Sequence, residues 1–164
     1  MNREEYFMTE ALLEAKKAYS LKETPIGAVI VYEDKIVGRG FNSVEISRDS
    51  INHAEIMAIK DAQKNLNRWR LFDCEIYVTM EPCFMCSGAI VNSRIKSLYI
   101  AASHNKNKKV DKHNEFQREF LIDSKVDSHF GIMQEEASRL LTSFFKERRK
   151  EKKKNNKKST KDTY

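Results

Sequence analysis

Apolar residues recur along this chain first at helical and then at extended spacing, and the switches between the two periods outline its elements. Residues 3–20 read as an amphipathic helix. Met8, Leu12, Ala15 and Tyr19 share a side with Ala11 and Ala18, and Asn2 with Glu5 three places on makes a capping pattern. Thr24-Pro25 ends it. Ile26 to Tyr32 is apolar on both faces, Ala28 and Ile30 on one and Val29 and Val31 on the other, as a central strand requires. Glu33-Asp34 turns the chain into a second strand, Lys35–Phe41, so the two form a hairpin, and Asn42 stands at its end. Residues 43–52 are polar and irregular. From His53 to about Asn65 the period is helical, with Ile56, Ile59 and Ala62-Gln63 as the inward stripe. Cys74–Met80 is a third strand, the Cys83 segment opens a helix that runs to about Asn92, and Ile95–Ala101 is a fourth strand. Ser103 to Asn114 is Lys/Asn-rich and reads as an exposed loop. Val126–Phe130 is a short fifth strand, and Gly131 to about Lys150 a last helix with Ile132, Leu140, Leu141, Phe144 and Phe145 on its apolar side. Helix crossovers between strands predict parallel pairing in an α/β layered fold.

Charge changes the picture at one end only. Residues 146–164 hold ten Lys/Arg against three Asp/Glu, +7, and the remaining 145 hold twenty against twenty-one, −1, so the +6 of the whole belongs to the tail. The expected organisation is one domain over residues 1–150 and a basic, disordered tail over 151–164. No apolar run is long enough to span a membrane. The N-terminus lacks the apolar stretch of a signal peptide. Three cysteines, two of them in a C-x-x-C, point to metal or redox use in a reducing cytoplasm rather than to a disulfide framework.

The candidate chemistry sits where predicted helices begin. Cys83 and Cys86 fall in the first turn of one helix just after a strand, and His53 and Glu55 in the first turn of another just after a loop. Helix N-termini favour thiolates, and sites of open α/β sheets form where strands end and helices start. One His and two Cys are three ligands for a zinc ion with an open position for water. Glu55 is placed to be a proton shuttle rather than a ligand. That set suits hydrolytic displacement of an amine from an aromatic ring.

His53-Ala54-Glu55 with Pro82-Cys83-Phe84-Met85-Cys86 resembles the zinc-dependent nucleoside and nucleobase deaminase superfamily. Within it the chain is most similar to the bacterial tRNA-specific adenosine deaminases. The similarity includes Thr24-Pro25-Ile26-Gly27-Ala28-Val29, Gly40-Phe41-Asn42, Arg70-Leu71, Tyr77-Val78-Thr79-Met80-Glu81, Ser93-Arg94-Ile95 and Phe144-Phe145-Lys146. The resemblance implies a three-layer α/β/α fold with a mixed five-stranded sheet, cytidine deaminase-like. It implies one Zn2+ per subunit on His53, Cys83 and Cys86, with Glu55 as the catalytic proton shuttle. It also implies that Asn42 and the Ala54 amide contact the flipped base, that Ile26 walls its pocket and that Phe145 touches RNA. The implied reaction is adenosine to inosine at wobble position 34 of an arginine tRNA, on an anticodon stem-loop bridging a homodimer. Where the family has a Gly/Ser-rich loop after the fourth strand, Ser103 to Asn114 departs from it, and no RNA contact carries over there.

Each signal has a plainer reading. Cys83, Cys86 and His53 would make a closed structural site if Cys74 or a later histidine were a fourth ligand, although Cys74 also reads as a buried small hydrophobe. Asn52 with Glu55 is a capping-box spacing. Asn42 alone is an ordinary turn residue, Phe144-Phe145 is core packing by default, and His104, His113 and His129 read as surface residues. The basic tail is either a solvated segment or a phosphate attractor. Beside the RNA-editing reading stand a deaminase of a free guanine- or cytosine-type base and an inactive zinc-stabilised RNA-binding module. The last helix with its Phe-Phe pair and basic end favours RNA, and the presence of Glu55 favours activity.

Overall fold

The computed structural model describes residues 1–103 and 112–159. In chain order the elements are α1 (Arg3–Ser20), β1 (Gly27–Tyr32), β2 (Lys35–Phe41), α2 (Val44–Ser47), α3 (Ala54–Asn65), β3 (Glu75–Met80), α4 (Phe84–Asn92), β4 (Ser97–Ala102), α5 (Lys112–Asp123), β5 (Asp127–Phe130) and α6 (Gln134–Ser159). The capping box on α1 is formed in both directions: Asn2 Oδ1 accepts from the Glu5 N–H at 2.8 Å, and Glu5 Oε2 accepts from the Asn2 N–H at 3.0 Å. Glu33 and Asp34 both take positive φ, 48° and 58°, as a two-residue turn must to match the twist of the strands it joins.

The five strands form one sheet in the order β2-β1-β3-β4-β5. The crossovers do not make every pair parallel. β3 pairs with β4 and β4 with β5 in parallel, whereas β1 pairs antiparallel with both β2 and β3. A crossover sets a strand's direction relative to the strand it leaves, not to the neighbour it lands beside. β3 leaves β2 by way of α3 but docks on the far side of β1, so it meets β1 head to tail.

Strand alternation sorts the core into two layers. Ala28, Ile30, Ile76, Val78, Leu98 and Ile100 face a cluster with Ala58, Ile59 and Ala62 of α3, Ile90 of α4 and Leu121 of α5. Val29, Val31 and Tyr77 face the other, with Phe7, Met8, Ala11 and Leu12 of α1 and Ala137 of α6. On α3 the buried side is Ala54, Glu55, Ala58, Ile59 and Ala62; Ile56 and Gln63, expected on it, are only half-buried. Three glycines, Gly27, Gly38 and Gly40, let helices lie directly on the hairpin. A Cβ on Gly27 would run into the Ala11 carbonyl of α1, and one on Gly40 would run into the Ala54 carbonyl in the first turn of α3.

Two C-terminal expectations change. The loop expected over 103–114 lies outside the described residues from 104 to 111, but the chain is helical from Lys112. The buried stripe of α5 is Gln117 and Leu121, four apart, while Phe116 is 64% exposed. A polar residue thus holds the inward position and an aromatic the outward one, which hides the helix from a hydrophobicity reading. The last helix does not stop near Lys150: α6 runs to Ser159, with no Gly or Pro to break it and many Lys and Glu of good helix propensity. Among the described residues no helix is long and apolar enough to cross a membrane.

Candidate active site

Where β3 ends and α4 begins, and where β2 hands over to α3, the chain builds one cleft of about 380 Å³. His53 is the N-cap of α3 and Cys83 the N-cap of α4, and neither uses its side chain for capping. Nδ1 of His53 lies 3.6 Å from Sγ of Cys83 and 3.6 Å from Sγ of Cys86. Zinc bonds of about 2.3 Å to sulfur and 2.0–2.1 Å to nitrogen, at a tetrahedral angle, hold S and N about 3.5 Å apart. The three side chains therefore fit a zinc ion, and their ligand atoms all lie within 4.8 Å of one another. Cys74 is buried and does not belong to this group.

The thiols are electrostatically unequal. Cys83 is lowered to about 5, first by the hydrogen bond it receives from the Cys86 thiol, with the Cys86 N–H and His53 adding to it. Cys86, wholly buried and donating its proton to Cys83, is shifted upward. Glu55 is 4% exposed, and burial pushes its carboxyl up to about 7. The capping alternative for Glu55 is not what the chain forms. The N-cap is His53, while Asn52 turns away to donate to Ser47 Oγ at 2.9 Å.

The structure brings the other predicted residues to the same place. Ile26, Asn42, Ala54 and Phe145 line the cleft together with His53, Glu55 and Cys83. The Phe-Phe pair divides its duties: Phe144 is 5% exposed and packs edge-on to Tyr19, whereas Phe145 is 45% exposed beside Arg148 and Lys22. His129, expected at the surface, is half-exposed but stacks on Tyr99 and hydrogen-bonds Asp127. His104 and the side chain of His113 lie outside the described residues.

Residues 1–102 match the family model described as the cytidine and deoxycytidylate deaminase zinc-binding region. The chain belongs to this family. A tRNA-specific adenosine deaminase of Buchnera aphidicola subsp. Schizaphis graminum is 43% identical over 150 residues, 88% of this chain and 95% of that protein. Another from Aquifex aeolicus is 44% identical over 142 residues, 87% of this chain and 93% of that one. A solved structure from work on A-to-I editing by tRNA:A34 deaminases superposes with a TM-score of 0.74 at 35% identity, covering 83% of this chain and 99% of that one. In this deaminase domain the zinc-binding region is built on the starts of two helices.

Two of its cleft residues have no role assigned by the sequence reading. Glu23, 1% exposed, accepts from the Ile46 N–H at 2.7 Å and from Asn42 Nδ2 at 3.4 Å. The Thr24 carbonyl also faces that Nδ2, at 3.4 Å. A carboxylate and a carbonyl only accept, so together they claim the amide nitrogen and leave Asn42 Oδ1 for the cleft. Glu81, 4% exposed, accepts from Arg118 Nε at 2.6 Å and from its terminal nitrogen at 2.9 Å. Acidic residues at such positions read as surface charge in a sequence, because the partner that buries them is distant along the chain.

Proposed function

We propose that this chain is a zinc-dependent hydrolase that converts adenosine to inosine at wobble position 34 of a tRNA, an arginine tRNA, in the cytoplasm. Its working form is a homodimer that takes the anticodon stem-loop as substrate. The observation that carries the reading is the buried Glu55 carboxyl set beside His53, Cys83 and Cys86 in a cleft whose rim holds Phe145 and Arg148.

His53, Cys83 and Cys86 would hold the metal, which when bound supplies the Lewis acidity that makes water nucleophilic at neutral pH. Glu55 takes a proton from the attacking water and delivers it to the ring nitrogen. It then carries the second proton to the amino group, so that the C6–N bond breaks and ammonia leaves. Asn42, fixed by Glu23, and the Ala54 N–H orient the base, and Ile26 walls it. Burial of Glu55 keeps bulk water from short-circuiting the transfer. Phe145 offers a face on which an unstacked base can rest, and Arg148, Arg149 and the lysines further along α6 attract phosphates.

The test is to give zinc-loaded protein an arginine anticodon stem-loop with A34, and separately free adenosine, cytidine and guanine. Inosine in the RNA alone is expected. Ammonia from a free base would move the assignment to a small-molecule deaminase, and no turnover on any of them would leave a binding module.

A further inference from the structure

We propose that Gln117 and Arg118 of α5 are positioning residues for the metal centre. They act through Glu81-Pro82-Cys83, the link that delivers two of its three ligands. Cys83 and Cys86 both sit in the opening turn of α4, a helix of nine residues, and the N-cap side chain makes no capping bond to that turn. Without a side-chain cap, the set of that turn rests on what holds the backbone on either side of the two cysteines.

On one side, the Glu81 N–H is tied to the Ala102 carbonyl of β4 at 2.8 Å, and its carboxylate is gripped at both oxygens by Arg118. Such a two-pronged guanidinium–carboxylate pair fixes orientation as well as distance. Next, Pro82 has no N–H, and its carbonyl accepts from the side-chain amide of Gln117. On the other side, the same amide nitrogen of Gln117 reaches Ser87 Oγ at 3.0 Å, and the Ser87 N–H closes the first helical bond on the Cys83 carbonyl at 2.9 Å. Gln117 is 2% exposed and Ser87 wholly buried. A buried amide is costly unless its hydrogen bonds are made, and this one makes them to the residues that flank the metal-binding cysteines. Phe116 adds a ring contact to Phe84, 5.8 Å between centroids.

Zinc–ligand distances in real sites stay within about 0.2 Å of their ideal values, so the backbone that carries the ligands must be held. Partners that orient ligands are worth about 10–100-fold in metal affinity when removed. α5 thus acts as a brace on the metal-bearing turn. This rests on the zinc site described above and not on the identity of the RNA.

The experiment uses the full chain and reads metal binding directly. Zinc affinity by chelator competition, the visible absorption of the Co2+-substituted protein and the thermal midpoint of the metal-free form would be measured for Gln117→Leu, Arg118→Met and Arg118→Lys. Gln117→Leu and Arg118→Met are expected to weaken zinc by about 10–100-fold and to alter the Co2+ band. Arg118→Lys should recover only part, because an ammonium does not span both carboxylate oxygens. If Gln117→Leu does not fold, Arg118→Lys alone decides. The proposal is overturned if the metal-free midpoint falls while zinc affinity and the Co2+ band stay those of the parent chain. Failure of every variant and of the parent on RNA, with zinc affinities ranked as stated, would refute the deaminase reading and leave this one standing.

Discussion

Gly40→Ala tests how tightly the sheet governs the metal site. In the present backbone a Cβ on residue 40 would overlap the Ala54 carbonyl, lie 2.5 Å from the Ala58 nitrogen and lie 2.8 Å from Met57 Cβ. Carbon contacts relax at about 3.5–4.0 Å, so the first turn of α3 must retreat by about 1 Å. Two of the clashing groups are backbone, and no side-chain rotation relieves them. His53 caps that turn, and its Nδ1 now sits 3.6 Å from both sulfurs. A retreat of about 1 Å is large beside the spread of about 0.2 Å within which zinc–ligand distances fall. Overpacking of this kind costs about 1–3 kcal/mol of stability. We expect a lower thermal midpoint together with zinc affinity reduced by at least about tenfold, a size comparable to removal of a ligand-orienting partner. Chelator competition on the purified variant measures it. Unchanged zinc affinity in a variant that keeps its fold would show that α3 adjusts without moving His53, and would refute a sheet-governed metal site.

Glu55→Ala should keep zinc and RNA binding while turnover falls by about 10²–10⁴-fold, the usual contribution of general acid–base catalysis; turnover near the parent rate would remove Glu55 as the shuttle. Glu23→Gln keeps an acceptor for the Ile46 N–H but turns an NH2 toward Asn42. Its thermal midpoint should stay near the parent's while kcat/KM on the anticodon stem-loop falls roughly tenfold, about one hydrogen bond, and equal kcat/KM would exclude the orienting role. Deleting residues 151–164 should weaken RNA binding modestly and flatten its dependence on salt, because each single-strand phosphate that is no longer neutralised takes about 0.7 off the slope; a slope identical to the full chain's would discharge the tail.

What is legible in the sequence is what repeats or what is chemically rare. The opposed faces of β1, Ala28 and Ile30 against Val29 and Val31, are visible because a buried strand alternates between two cores. His53, Glu55, Cys83 and Cys86 are visible because metal chemistry needs those residue types at helix starts. The antiparallel meeting of β1 and β3 is not visible, since no local pattern says beside which strand a crossover lands. Nor are the duties of Glu23 and Gln117. Each is a single polar residue whose meaning comes from a partner far along the chain, Asn42 for one and Pro82 for the other. The helicity of α6 beyond Lys150 follows from backbone propensity without burial, so hydrophobic period is blind to it.

The order in which the site's parts occur along the chain has a consequence for its making on the ribosome. All three metal ligands and Glu55 lie within the first 86 residues, whereas Gln117 and Arg118 follow some thirty positions later. At synthesis rates of about 5–20 residues per second, the nascent protein carries a complete but unbraced ligand set for about 2–6 seconds. Zinc acquired in that interval would be held loosely and exchange freely. On the brace proposed above, retention would tighten only once α5 has emerged and docked against the turn that bears the cysteines.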